Sequence, residues 1–395
     1  MPACPRSDVV CVGEVGVYHC WSRCVRRAFL CGQDPLTGKD YEYRREWIRD
    51  FEECLAGLFG IEVGFHAELS NHIHLVLRTR PDVVDSWSDE EVVRRWLGIS
   101  HLTKSRNGQP REIFPARIAL EMAIPHRVDK LRTRLSDPSF FMAALCEHVG
   151  RRSNRDDQCS GTFWEDRYKC RQLADEGAVL ICGIYVDLNQ IRAGEAFTPE
   201  TSTHTSACDR IRSRMQRLSA EAQAPEQAVE PHKLPDGWLC ELTIDESEST
   251  DRRAVVRGTN SRRASDKGML PITLNDYLEL LDASGRMLRD DKVGAIPTEF
   301  APILERLGVR PAAWSELVEN YHDWFGTSLV LPRRSPEEPL KWDATGFVAS
   351  LVVQRRLARF LQSGETFRRK SLVCNGGSRW RVGFLVPQLV SCIHK

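Results

Sequence analysis

Two histidines stand two residues apart in Ser70-Asn71-His72-Ile73-His74-Leu75-Val76-Leu77. The stretch reads as a β-strand, and strand side chains alternate faces, so His72 and His74 share one face. Two imidazoles side by side on a rigid strand make half of a metal site. About 110 residues later Tyr185 and Asn189 occur four apart in a helical pattern, which stacks them on one helix face. Two imidazoles and an amide oxygen are three ligands that leave open positions on a divalent ion. Such a mixed set suits Mn²⁺ or Mg²⁺, with imidazole favouring the former. An open position can take a phosphodiester oxygen, and the ion then acts as a Lewis acid on phosphorus. A tyrosine beside it is a nucleophile once nearby positive charge helps it lose its proton. Its attack gives a phosphotyrosine and a free 3′-hydroxyl, and the stored bond energy allows rejoining without ATP. Taken singly, each part has an ordinary explanation: strand histidines with hydrogen-bond partners, a tyrosine that packs, an asparagine that caps.

These residues need elements to hold them. The alternation of VYHCWSRC predicts a strand over 15–24, running into Arg23, Arg26 and Arg27. Tyr43, Trp47, Phe51, Leu55 and Leu58 recur at three- and four-residue spacing, which predicts an amphipathic helix over 41–59 with Gly60 as its stop. A second strand over 61–69 and the histidine strand are joined too tightly for a crossover, so they pair as an antiparallel hairpin. Ser88 caps a helix through Val92, Trp96 and Leu97, and another helix covers 136–152. The segment 162–173 alternates again, with Arg167, Lys169 and Arg171 on one face and Trp164, Tyr168 and Cys170 on the other. That basic face is either a solvated edge or a surface that tracks phosphates. Val179, Leu180, Ile184, Leu188 and Ile191 define the buried side of a helix that starts at Asp175 and stops at Gly194. The order strand, helix, hairpin, helices, strand, helix predicts an α+β fold: a ferredoxin-like antiparallel sheet with helices on one face. In it, the helix over 175–193 can project Tyr185 and Asn189 over His72 and His74. The histidines His19 and His66 have no second ligand at chelating spacing and read as structural.

Residues 216–267 are low in apolar side chains and rich in charge, Pro and Ser, and so read as a linker after a domain over 1–215. Three short helices, capped at Thr273, at Thr298 and begun at Pro311, predict a small helical module over 268–326. A basic tail fills 327–395. Lys and Arg balance Asp and Glu at 55 each, which argues against coating nucleic acid by bulk charge. The balance is uneven, since 351–395 carries nine Lys or Arg and a single acid, Glu365. Any nucleic-acid site in the main body must therefore be a local patch. The 14 cysteines form no CxxC pair, which excludes zinc knuckles and points to reduced thiols in a cytoplasm. No apolar run is long enough to span a membrane, and MPACPRSDVV has no signal-peptide core.

Taken in order, Asn71-His72-Ile73-His74-Leu75 and Tyr185-Val-Asp-Leu-Asn189-Gln-Ile-Arg192-Ala193-Gly194 resemble the single-tyrosine HUH endonucleases and transposases. The branch they resemble is that of the REP-associated tyrosine transposases. VYHCWSRCVRRAFL, GTFWEDRYKCRQLADE and THTSACDRIR carry the resemblance further, so that it covers residues 12–215. The resemblance implies a DNA-cleaving and -rejoining enzyme of a bacterial cytoplasm, nucleoid-associated when bound, acting on single-stranded DNA beside a hairpin. It implies His72, His74 and Asn189 as ligands of Mg²⁺ or Mn²⁺, and Tyr185 as the nucleophile. Arg23, Arg26, Arg27, Arg167, Lys169 and Arg171 are the candidates for holding DNA. Relatives act as homodimers or as monomers, and both states stay open. Many relatives have Pro where this chain has Gln190, and a Met or small residue where it has Glu68-Leu69. Glu68 is either exposed or a partner of a ligand histidine. The alternative function is a domesticated hairpin-DNA-binding protein that no longer cuts. An unrelated His-x-His hydrolase would need more carboxylates near the histidines than Glu68 alone.

Overall fold

The computed structural model describes residues 9–25, 30–34, 37–104, 112–223, 230–243, 262–265, 267–287 and 292–306. All of them lie in the compact unit Met1–Val309. Arg26, Arg27, the helix expected from Pro311 and the basic tail lie outside the described residues.

Four strands, β1 (Val17–Arg23), β2 (Ile61–Glu68), β3 (His72–Thr79) and β4 (Lys169–Leu173), form one antiparallel sheet in the order β2-β3-β1-β4. This is the ferredoxin-like connectivity expected from the element order. Helix α1 (Tyr43–Leu58) crosses from β1 to β2, and the hairpin β2–β3 follows. Helices α2 (Pro81–Ser86), α3 (Asp89–Lys104), α4 (Pro115–Met122), α5 (Arg127–Leu135) and α6 (Pro138–Asp156) lead to β4. Then come α7 (Glu176–Asp187), the short α8 (Asn189–Arg192), α9 (Ser206–Gln223), α10 (Leu274–Arg286) and the short α11 (Ile303–Arg306). The stretch before 130, irregular in sequence, holds α4 and α5; each is too short to display a clear period.

The helices cover both faces of the sheet rather than one. Ile73, Leu75 and Leu77 of β3 join Ile48, Phe51 and Leu55 of α1 and Phe141 and Leu145 of α6 in the main core. Burying each such side chain stabilises the fold by roughly 1.5–3 kcal/mol. Phe65 and Val76 pair across the sheet and point the other way, toward α7, where Gly183 lies against the Phe65 ring. Alternation alone puts His72, His74 and Val76 on that second face.

Among the described residues of the stretch 216–267, read from composition as a linker, Trp238 and Leu239 pack into the core. Trp238 is fully buried in it, Cys240 N–H donates to Val63 O at 2.8 Å, and Arg263 donates to Leu239 O at 2.9 Å. These residues cover the outer edge of β2, which would otherwise present unpaired backbone groups. Composition hid this because few apolar residues, each placed at the edge, suffice. Helix α10 packs directly on α7: Tyr277 is fully buried and its hydroxyl donates to Asp187 at 2.5 Å. Thr273 caps α10 and Asp175 caps α7, both by accepting from a backbone N–H three residues on. Among the described residues no helix is long and apolar enough to cross a membrane.

Candidate metal and tyrosine site

The sheet register gathers the chemistry on the second face. Trp21 lies opposite both His74 and Lys169, His19 opposite both Val76 and Arg171, and Arg23 opposite His72. Directly paired residues share a face, so His19, Trp21, Arg23, His72, His74, Lys169 and Arg171 all face the side on which α7 packs. Helix α7 has an almost continuous apolar run, yet Tyr185 is 44% exposed. Its ring stands edge-on to His74, with centroids 5.6 Å apart, and the His72 and His74 rings are 4.8 Å apart. Tyr185, His72 and His74 line one cleft of about 200 Å³ together with Trp21, Arg23, Arg167 and Lys169. Glu165 and Asp166 also line it, and Arg23 sits 3.8 Å from Glu165 in an exposed, weak pair.

Of the residues singled out in the sequence, the structure thus brings together His72, His74, Tyr185, Arg23, Arg167 and Lys169. Arg171 is exposed on the same face but does not line the cleft. The strand carrying it starts only at Lys169, so Arg167 reaches the cleft from a loop. Asn189 lies one turn beyond Tyr185, past a slight break at Leu188, and does not line the cleft. It is buried, and its Nδ2 has no hydrogen-bond partner. Rotating the amide would present the oxygen there instead, the atom a cation needs.

The two strand histidines suit a cation. Burial, then the Arg23 charge, pushes His72 down to about 4; burial, then His72 and His19, holds His74 well below the usual histidine range. Both are neutral imidazoles near pH 7, the form that ligates. His72 Nδ1 lies 2.5 Å from Asn71 Oδ1, and a carbonyl oxygen only accepts, so Nδ1 carries the proton and Nε2 the lone pair. His74 Nδ1 lies 2.9 Å from His19 Nε2, and His74 Nε2 is buried with no hydrogen-bond partner. With His74 donating from Nδ1, its Nε2 lone pair is left for a metal.

His19, read from the sequence as structural, lies directly against His74 and Tyr185, beside the cleft rather than in its lining. Its ring stacks on Trp21 at 4.8 Å and stands edge-on to Tyr185 at 6.1 Å. Burial, then Arg171, pushes it down to about 4. The alternation in VYHCWSR put His19, Trp21 and Arg23 on one face; only the strand order could bring that face to His74. Glu68 is neither exposed nor a partner of His72 or His74. It lies opposite Ile73, on the main-core face, fully buried and 3.0 Å from His66 Nδ1.

The hairpin turn that aims His72 is tied down from several sides. Glu68 O accepts from Arg45 Nη1 and from Gln190 Nε2, the latter at 3.0 Å. Gln190 also donates to Thr203 O at 2.7 Å, and Glu195 accepts from both Ser70 N–H and Arg45. Gln190, the residue after Asn189, thus fastens the end of the tyrosine helix to the histidine hairpin.

No family model and no curated protein matches the chain. A solved structure of a REP-associated tyrosine transposase bound to a REP hairpin is similar at 10% identity, over 58% of this chain and 93% of that one, with a TM-score of 0.27. Here the fold and the cleft define an α+β protein with a histidine pair and a tyrosine on opposing elements.

Proposed function

We propose that the chain is a single-strand DNA transesterase with Tyr185 as nucleophile. The observation that supports this most is the approach of an exposed tyrosine to a pair of neutral histidines within one chain, 5.6 Å ring to ring. A single copy thus supplies both halves of the constellation. The substrate class, a strand beside a hairpin, follows the motif resemblance. In the reaction the Tyr185 Oη–P bond forms as the P–O3′ bond breaks. The phenol proton leaves Tyr185, the 3′ oxygen gains one, and the DNA end remains as a 5′-phosphotyrosine. Attack by a later 3′-hydroxyl reverses these bonds and frees Tyr185.

His72 and His74, with the Asn189 amide, would hold a divalent ion, Mg²⁺ or Mn²⁺, which supplies Lewis-acid polarisation of the scissile phosphate when bound. Around it, Arg23, Arg167, Lys169 and Arg171 offer charge to neighbouring phosphates. Trp21, half-buried beside the histidines, offers a face on which an unpaired base can stack.

The test is incubation of the full chain with a hairpin oligonucleotide bearing a single-stranded flank, with Mn²⁺, followed by a denaturing gel. A covalent protein–DNA band is expected from the native chain, absent in Tyr185→Phe and after chelation, while hairpin binding persists. Persistence of the band in Tyr185→Phe would sink the assignment. Binding with no band from the native chain would favour a hairpin-binding protein without catalysis.

A further inference from the structure

On the opposite face of the sheet from the tyrosine cleft, Glu52 of α1 and His66 and Glu68 of β2 converge in the interior. One potential ligand atom from each lies within 4.8 Å of the others, and all three side chains are fully buried. We propose that these three residues form a second divalent-cation site, separate from the histidine pair, that pins α1 to β2.

Without a cation the cluster is held together by protons: against burial, Glu68 and Asp209 push His66 up to about 9, so a cation must displace a proton from its ring as well as the one on Glu52. Three buried carboxylates, Glu52, Glu68 and Asp209, face the cluster. Asp209 is satisfied by Arg49 at 2.8 Å, and Glu68 by His66 at 3.0 Å. His66 Nε2 lies 3.4 Å from Asp209, too long for a well-formed hydrogen bond. Glu52 has no basic partner: its carboxyl meets only that of Glu68, with which it shares a proton, and neither Glu52 oxygen nor Glu68 Oε2 accepts from any N–H. Burying an unpaired carboxylate is costly, and orphaned buried oxygens call for a proton or a cation. Without a cation, burial and the adjacent Glu68 hold the Glu52 carboxyl well above its usual range. A cation instead satisfies Glu52 and Glu68 together.

One imidazole and two carboxylates suit a Mn²⁺-like ion better than Ca²⁺. Bonds of about 2.1 Å require ligand atoms roughly 3–3.5 Å apart, so the cluster must draw in by about an ångström. Access is at hand. A polar cleft of about 600 Å³ is lined by Arg49, His204 and Asp209, and Asp209 is the cluster's neighbour.

The test uses the full chain with His72→Ala and His74→Ala, which removes the other site whatever its function, stripped with chelator and dialysed against Mn²⁺, a probe that avoids the free thiols. About one bound equivalent is expected, with a Mn²⁺-dependent rise in Tm. Adding Glu52→Gln, and separately Glu68→Gln, should weaken binding about tenfold or more and abolish that rise. Both swaps are isosteric, and Glu52→Gln replaces a carboxyl that is already neutral in the metal-free chain, so its metal-free Tm should hold. No Mn²⁺ bound by the His72→Ala, His74→Ala chain, or equal binding after Glu52→Gln, overturns the proposal. Should either variant fail to fold, the stoichiometry of the His72→Ala, His74→Ala chain still decides.

Discussion

Gly183 lies so close to Phe65 that a Cβ built on it falls 2.6 Å from the ring. This is how the tyrosine helix reaches the histidine face: a bare backbone lets α7 settle on β2, two residues before Tyr185. Gly183→Ala should force the helix outward or the ring off its rotamer, at a cost of roughly 1–3 kcal/mol. The expected outcome is a lower urea midpoint and a larger fractional loss of covalent adduct than of hairpin binding. Unchanged adduct formation would mean that Tyr185 tolerates more movement than the geometry implies.

Gln190 gives a second handle on the same positioning. Its amide is buried and donates to Glu68 O and Thr203 O. Gln190→Leu keeps the volume and removes both donors. Thr203 O then loses that partner, a cost of about 1–3 kcal/mol. Glu68 O keeps Arg45, so the hairpin should not unravel. Denaturant unfolding should show the loss, and Tyr185-dependent cleavage should slow while hairpin binding stays near normal.

Stability should also carry a pH signature from α10. Burial, then the neighbouring Asp276, raises Glu279 to about 7 from its usual 4.5. A carboxyl whose pKa is raised in the folded state binds more protons there than when unfolded. Its contribution is favourable below pH 4.5 and is lost as pH rises through about 7. Glu279→Gln should therefore match the native chain at low pH and exceed it at pH 8, by on the order of 1 kcal/mol because the group stays partly solvated. Thermal melts across that range check it; an equal gain at both ends would assign the effect to something other than ionisation.

Much of this is legible in the sequence itself. The 3.6-residue pattern from Tyr43 to Leu58, the alternation around His72 and the caps at Asp175 and Thr273 are local signals, and local signals read directly. Tyr185 and Asn189 stood out because helical spacing ties them together. What escaped was non-local. His19 joins the site only because β1 lies beside β3, and Glu68 turns from the histidines because one step along a strand changes face. Trp238 sits in a charged, Pro-rich stretch whose burial depends on a sheet edge distant in sequence. Gln190 looked like a departure from a pattern; its two hydrogen bonds end on residues 122 and 13 positions away.

His19 offers the sharpest separation of ligand from support. On the proposed reading, in which His74 would hold a cation, His19 is its support: it sits 2.9 Å from His74 Nδ1 and stacks on Trp21, and by accepting from that nitrogen it would leave the His74 Nε2 lone pair for the ion. His19→Phe keeps the stacked ring and removes the acceptor. The His74 ring then gains freedom to turn, and its Nε2 is no longer held as a lone pair. Removal of such a supporting partner ordinarily weakens metal affinity about 10–100-fold. The Mn²⁺ concentration for half-maximal adduct should rise by that factor, while adduct formation at saturating Mn²⁺ recovers most of the native rate. His74→Ala, by contrast, should not be rescued by any Mn²⁺ concentration. If His19→Phe leaves the Mn²⁺ requirement unchanged, His74 is oriented by its packing alone, and the contact with His19 does no more than fill space beside it.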